Sequence, residues 1–399
     1  MKREESVLNQ FETSVRRLHL LLALANFAVG LGAFVVIGVL SPVAASFQIT
    51  PSEAGWLMTI YAITYAISSP FLVAITGSKD RAYVLFAGLI LLILGSTLAI
   101  FSPDFSVLLV ARVFMAIGSG VVTPVASAIG AASVNPEHRG RALATVFGGL
   151  TMAQAFGIPA GAWIGYAFGW RFTFGVVALL AFVCLVILYK SIQRGIVAQP
   201  NSLSTLKEVV LSPRLTIAVF FIVLFMGGIF TFYTYLTPFL EIRYGIQKIG
   251  VTSILLIFGL GAIFGNKLGG FLTDKIGAVR TLVMVCTAQI VILPVLTLVQ
   301  MPLYAIGILI FVWSVFGWSS QVAQQARLTA LDSKRAPVLL ALHSASIYVG
   351  TSLGALVGGK VIHLTGYSSL GMVASGIVVI SLLLLAGSQT KNESSQPVI

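Results

Sequence analysis

Apolar residues run through this chain in long, nearly unbroken stretches parted by short polar gaps. Twelve such stretches can be marked, at about 19–46, 53–76, 82–101, 104–133, 140–167, 171–190, 213–239, 248–272, 279–299, 302–330, 337–363 and 367–388. A helix needs roughly 20 apolar residues to cross a bilayer, and each stretch is long enough. Strands of a membrane barrel would alternate weakly over about 10 residues, which these runs do not do. The pattern predicts an all-α membrane protein with twelve transmembrane helices and the lipid bilayer as its main solvent.

Composition strengthens that reading. Of 399 residues, 58% are hydrophobic and only 9% charged, and the mean hydropathy is +1.01. Soluble domains carry about 25% charged residues, so this chain lacks the material for a polar skin. The net charge of +12 would suggest nucleic acid in a soluble protein. Here the basic residues fall in short gaps, with no basic stripe interleaved with aromatics, and no nucleic-acid partner is expected. Residues 1–17 are polar, and the apolar run after them is too long for a signal peptide. Cys184 and Cys286 lie singly inside apolar runs, so neither a disulfide scaffold nor a zinc site is expected.

The gaps alternate in charge. Those after the second, fourth, sixth, eighth and tenth stretches hold Lys79, Arg81, Arg139, Arg141, Lys190, Arg194, Lys207, Arg214, Lys275, Arg280, Lys334 and Arg335. The other side has only Arg171, Arg243, Lys248 and Lys360. The positive-inside rule therefore puts both termini and the even gaps in the cytoplasm. The longest gap suggests a division into 1–190, a cytoplasmic linker 191–212 and 213–399. Its segment "STLKEVVL" is either an amphipathic piece along the membrane face or a plain tether. Gly157, Gly161 and Gly169 recur as Gly354, Gly358 and Gly366, each 197 positions on (354 − 157, 358 − 161, 366 − 169). An offset without gaps predicts two related six-helix halves, the parallel repeat of many secondary transporters.

The charged residues that interrupt this pattern carry the candidate chemistry. In "GGFLTDKIGAVR", Gly270 and Gly277 suit close approach and a tight turn, and Asp274 suits the positive end of a neighbouring helix, with Lys275 beside it. Arg112, in "LLVARVFMAIGSG", lies inside the fourth stretch. A lone arginine there costs about 2.5–3.5 kcal/mol on insertion scales, so it either faces a wet interior or snorkels to the nearer interface. "FGGLTMAQAFGIPAGAWIGYAFGW" lays Gly157, Pro159 and Gly161 along one helix, a stripe suited to close packing or a kink.

These stretches resemble the Major Facilitator Superfamily over essentially the whole chain. "GGFLTDKIG" is similar to its loop motif, matched at Gly270, Leu272, Asp274, Lys275 and Gly277. "RVFMAIGSG" resembles the motif linked to proton coupling, and the fifth stretch resembles the glycine-proline motif of exporters. The resemblance points to the drug–proton antiporter branch, near the arabinose-efflux and purine-ribonucleoside-efflux permeases. It implies two pseudo-symmetric six-helix bundles in a bacterial inner membrane, a single-chain (monomeric) carrier, no cofactor, and export of a small-molecule substrate in exchange for protons. It also implies that Asp274 latches the start of the fifth helix in one state of the cycle. In the first half, "AITGSKDRAYVL" has Gly77 at the latch position, leaving Asp80 or Lys79 as stand-ins.

One departure bears on coupling. That branch often has a glutamate in the first helix where this chain has Ala33, and no Asp or Glu lies deep in any stretch. His343, Glu53 and Glu241 remain as groups that could titrate. The expected solute site gathers mid-helix polar and aromatic residues: Asn26, Tyr61, Tyr65, Thr123, Gln154, Tyr235, Trp313, Trp318 and Gln321. Such a lining suits a flat solute, uncharged or weakly cationic. An uptake carrier or uniporter would share this architecture, and a membrane sensor with a filled centre is the reading from another class. The chain contains no phosphate-binding loop, H-E-x-x-H or G-x-S-x-G motif, so no enzyme is expected.

Overall fold

Lipid offers no hydrogen-bond partner to a peptide group, so a lone segment crosses it as a helix, which satisfies its own backbone. The computed structural model describes residues 2–192, 194–195, 208–209 and 211–387, and among them all regular structure is helical. The middle of the expected linker, with Lys207, lies outside the described residues. Among the described residues twelve helices are long and apolar enough to span: α1 Val15–Phe47, α2 Pro51–Ile75, α3 Arg81–Ile100, α4 Phe105–Ala132, α5 Arg139–Phe168, α6 Trp170–Ser191, α7 Pro213–Tyr244, α8 Lys248–Ile276, α9 Ala278–Leu298, α10 Leu303–Leu331, α11 Val338–Thr365 and α12 Tyr367–Gly387. Large side chains such as Ile67, Phe71, Phe172, Ile308 and Leu383 stand more than half exposed on their outer faces. Water would penalise so much apolar surface, whereas acyl chains do not.

The ends of the helices are chemically marked. Asp80 caps α3 by accepting from the Ala82 amide at 3.0 Å, and Asp104 caps α4 through the Val107 amide at 2.9 Å. Three turns are a single glycine wide: Gly169, Gly277 and Gly366, with φ of +100°, +88° and +78°. A side chain at those angles would be strained. Inside α7 the helix breaks at Thr234 and Tyr235. Pro238 explains this, since it lacks the amide that would bond the Thr234 carbonyl and its ring crowds that oxygen. Inside α5, Ala153–Gly157 forms a π-turn, closed by the Ile158 amide on the Ala153 carbonyl.

The chain divides into two compact units, one of 1–50, 60–200 and 247–256, the other of 51–59, 201–246 and 257–399. In the first unit, small residues bring α1 and α5 together. A Cβ on Gly30 would come within 2.8 Å of the Ala153 side chain, and one on Gly38 within 2.8 Å of Ala162; Gly149 lies directly against the Ala23 carbonyl. In the second unit α7 and α11 use the same device. Gly350 and Gly354 press on the Val223 and Gly227 carbonyls, and Gly358 on that of Thr231. The 197-residue offset maps Ala153 onto Gly350 and Gly157 onto Gly354, so equivalent positions do equivalent packing.

The described end of the linker belongs to the second unit. Val209 is buried with Leu215, Ala218, Leu328 and Leu339. Beside it Arg335 donates to Glu208 at 2.9 Å and to Asp332 at 2.8 Å. Asp332 also accepts from the Arg335 backbone amide at 3.0 Å. That amide first, and the guanidinium next, hold the Asp332 carboxyl below its ordinary range.

Two outcomes follow for thermal unfolding in detergent. Gly354→Ala is expected to lower stability by about 1–3 kcal/mol, because backbone atoms cannot yield to the new methyl group; Gly376→Ala, which meets nothing within 4 Å, is expected to be neutral. Asp332→Asn is expected to be less stable than the parent at neutral pH. A depressed carboxyl contributes fully above its unfolded pKa of about 3.9 and loses that contribution as pH falls through the folded value. The gap between the two proteins is therefore expected to close in acid.

Candidate functional site

Arg112 answers the question its sequence position raised. It sits seven residues into α4 yet is fully buried, so it does not snorkel to the interface. Its guanidinium donates to the Gly32 carbonyl and, at 2.9 Å, to the Ala33 carbonyl of α1. It also lies 4.2 Å from the centre of the Tyr61 ring of α2. One side chain thus ties three helices of the first unit. Asn26, Ser119 and Thr123 of the same unit are buried too. Asn26 donates to the Val146 carbonyl of α5 at 3.0 Å. Its own Oδ1 and Thr123 Oγ1 are buried with no hydrogen-bond partner, and the Tyr61 and Ser119 hydroxyls lie within hydrogen-bonding reach of each other. Tyr61 and Tyr65, one turn apart, lie near-parallel with centroids 6.5 Å apart.

The second unit has a polar centre of another kind. His343 of α11 is buried and pairs through Nε2 with Gln321 Oε1 of α10 at 3.2 Å. Gln321 reaches Met226 Sδ of α7 at 3.7 Å. His343 Nδ1, Trp313 Nε1 and Gln289 Oε1 are buried without a partner, while Gln289 Nε2 donates to the Trp313 carbonyl at 3.0 Å. Trp313 packs among Phe232, Tyr233 and Phe258, the last stacked on Tyr233 at 4.0 Å. Tyr235, at the α7 break, donates to the Ala355 carbonyl at 2.7 Å. The same hydroxyl fills the space a Cβ on Gly55 would need. Nearby, Ser52 donates to the Gly359 carbonyl at 2.7 Å and Ser352 to that of Thr59 at 3.1 Å.

Most residues expected to line a solute site turn inward: Asn26, Tyr61, Tyr65, Thr123, Tyr235, Trp313 and Trp318 are buried. Gln154 and Gln321 are half-buried, and Gln154 lies within the π-turn. A cavity of about 390 Å³ is lined by Tyr235 with Ser52, Trp56, Lys360 and His363, and by none of the other expected residues.

Three expectations about the loops change. Asp274 and Lys275 belong to the last turn of α8, and the turn itself is Gly277 alone. Charge near the membrane rim does not end a helix. Gly270 does not provide close approach, since a Cβ there would have 4.0 Å of room, whereas Gly269 lies against the Ser319 backbone. Asp80 is already engaged: besides capping α3 it accepts from the Gly195 amide at 2.7 Å.

Against this geometry stand the comparisons with known proteins. The family model of the Major Facilitator Superfamily matches residues 22–336. The chain belongs to that superfamily. It is 33% identical over 376 residues to the "Uncharacterized MFS-type transporter YbcL" of Bacillus subtilis, covering 93% of this chain and 96% of that one. It is 28% identical over 371 residues to a "Probable sugar efflux transporter" of Mannheimia succiniciproducens, with 91% of each covered. Among solved structures, a bacterial homologue of the human lysosomal transporter Spinster, inward-facing and unoccupied, superposes with a TM-score of 0.71 at 18% identity, covering 94% of each chain. That last likeness speaks for the fold alone.

Membership of the superfamily makes the chain a multi-pass membrane transporter of small solutes. It does not bring in the acids of a typical proton site. Among the described residues no Asp or Glu is buried, whereas Arg81, Arg112 and Arg327 are. Sequence reasoning missed Ser119, Gln289 and Gly269. Serine and glycine are too common in packed helices to stand out, and Gln289 gave no motif. Arg112→Ala would remove the second donor from two α1 carbonyls that already accept helical amides and leave a cavity where the guanidinium packs, which costs stability. The variant is expected to unfold at clearly lower temperature in detergent, with Arg112→Lys recovering only part, because a compact ammonium lacks the guanidinium fork.

Proposed function

We propose that this transporter exports a small organic solute across a bacterial inner membrane by alternating access, in exchange for protons, with both termini in the cytoplasm. The observation that carries export is α5. Its glycine-proline stretch, the part that resembles the exporter motif, packs backbone-close on α1 and holds a π-turn just before Pro159. π-turns are rare and concentrate at functional sites. The sugar efflux relative supports the same direction.

In this reading Asn26, Tyr61, Tyr65, Thr123, Gln154, Tyr235, Trp313 and Gln321 contact the solute during the cycle. Arg112 couples α4 to the α1 backbone, and Asp274 with Lys275 and Gly277 gates the cytoplasmic rim. His343 is the group that exchanges the proton; its unpartnered Nδ1 beside Gln321 supports that role. The uptake or uniport alternative draws its support from the lack of a buried acid among the described residues.

Transport into inverted membrane vesicles with an imposed pH gradient separates them. Export by antiport predicts accumulation driven by the gradient, reduced at least about tenfold by Arg112→Ala and by His343→Ala. Accumulation indifferent to the gradient contradicts proton exchange.

A further inference from the structure

Of the four lysines and arginines near the odd-numbered connections, three are engaged. Arg171 donates to the Ser102 carbonyl at 2.9 Å and lies 4.3 Å from the Trp170 ring. Arg243 donates to the Leu298 carbonyl at 3.2 Å, and Lys248 lies 5.9 Å from the Tyr166 ring. Lys360 has neither a hydrogen bond nor an ion pair among the described residues, and it lines the cavity of about 390 Å³.

That cavity belongs to the second unit. Two helix faces form its walls. Ser52, Trp56 and Thr59 follow one another at turn spacing along α2, as do Leu356, Lys360, His363 and Leu364 along α11. Gly359 lets the walls approach, because a Cβ there would meet the Tyr235 hydroxyl at 2.7 Å and the Ser52 carbonyl at 3.3 Å. The Ser52 and Tyr235 hydroxyls already donate to the Gly359 and Ala355 carbonyls. The donors left to a ligand are the Lys360 amine, the His363 imidazole and the Trp56 indole. No carboxylate lines the cavity, Glu53 of the same α2 turn included.

Depth and surroundings name the ligand. Trp56 and Lys360 each stand five residues inside their helix end, about 8 Å along the axis, which is the level of the headgroup–acyl boundary. Trp56 is 45% and Leu364 77% exposed, so the cavity has an apolar flank. The 197-residue offset maps Lys360 onto Trp163 and His363 onto Tyr166 (360 − 163, 363 − 166). Two aromatics of the first half are therefore two nitrogen donors in the second. An aromatic ring rests at the interface by itself, whereas an unpaired ammonium there attracts a lipid anion.

We infer that this cavity holds the headgroup of an anionic phospholipid, with Lys360, His363 and Trp56 donating to its phosphate and its acyl chains lying along Leu356 and Leu364. The volume is at the small end for ligand pockets and suits a headgroup whose chains stay in the bilayer. A zwitterionic headgroup fits worse, since its ammonium finds no carboxylate. Only the topology is taken from the export reading, which makes the leaflet the outer one.

The test titrates the purified full chain in detergent with dioleoylphosphatidylglycerol, with dioleoylphosphatidylcholine, and with glycerol 3-phosphate as a headgroup without chains. Thermal melting reads stabilisation, and native mass spectrometry reads retained lipid. Phosphatidylglycerol is expected to stabilise and to be retained, with the other two at least about fivefold weaker. Lys360→Gln combined with His363→Gln is expected to weaken it about five- to tenfold, and Lys360→Arg to stay within about twofold. Lys248→Gln, which removes a cation outside the cavity, is expected to leave it unchanged. If the double variant does not fold, Lys360→Gln alone, on an exposed side chain, gives the same reading.

Equal binding of the two lipids overturns the inference, as does an equal loss in Lys248→Gln, which would mean charge attraction without a site. Glycerol 3-phosphate binding as tightly as the lipid overturns it too, in favour of a free phosphate ester. Phosphatidylglycerol held selectively while gradient-driven export is absent would count against the export reading alone. Export without selective lipid binding would count against the lipid site alone.

Discussion

A charge inside a membrane must be answered by the protein itself, because lipid answers nothing. In this chain the demand falls on Arg112, and the response is structural. The Gly32 and Ala33 carbonyls, inside the α1 ladder, each take the guanidinium as a second donor, and Tyr61 covers it. The contact fixes which faces of α1, α2 and α4 point inward. Once a hydrocarbon-excluding centre exists, further polar groups are cheaper beside it than anywhere else in the span.

Close helix packing is the second half of the same solution. Lipid tails are as apolar as leucine, so helices gain little from hydrophobic burial against each other and rely on contact at short range. Both units reach it with small residues at equivalent positions: Gly30 on Ala153 in one, Gly350 and Gly354 on the α7 backbone in the other. The units differ in their centres. One holds an arginine on backbone carbonyls and a tyrosine face, the other a histidine–glutamine pair and an aromatic core.

Most of the fold was legible because hydropathy is the physical quantity that decides it. The stretches expected at 82–101 and 104–133 are helices Arg81–Ile100 and Phe105–Ala132. Where charge was read as the end of a helix the reading failed: α8 continues through Asp274 and Lys275 to a single glycine. The α5 π-turn left no trace in the pattern, since it depends on how α5 seats against α1. Arg112 was legible as a problem, because any buried charge is; its solution was not, because backbone carbonyls have no sequence signature. Ser119 and Gly269 were invisible for the complementary reason, being ordinary residues whose importance lies in what stands opposite them.

The account stands on Arg112 being enclosed by protein and answered by backbone oxygen. Its most direct test is an experimental structure in a lipid nanodisc, at a resolution that fixes the guanidinium. The account predicts Arg112 on the Gly32 and Ala33 carbonyls with Tyr61 against it. A guanidinium reaching toward headgroups, or paired with an acidic side chain, would contradict it.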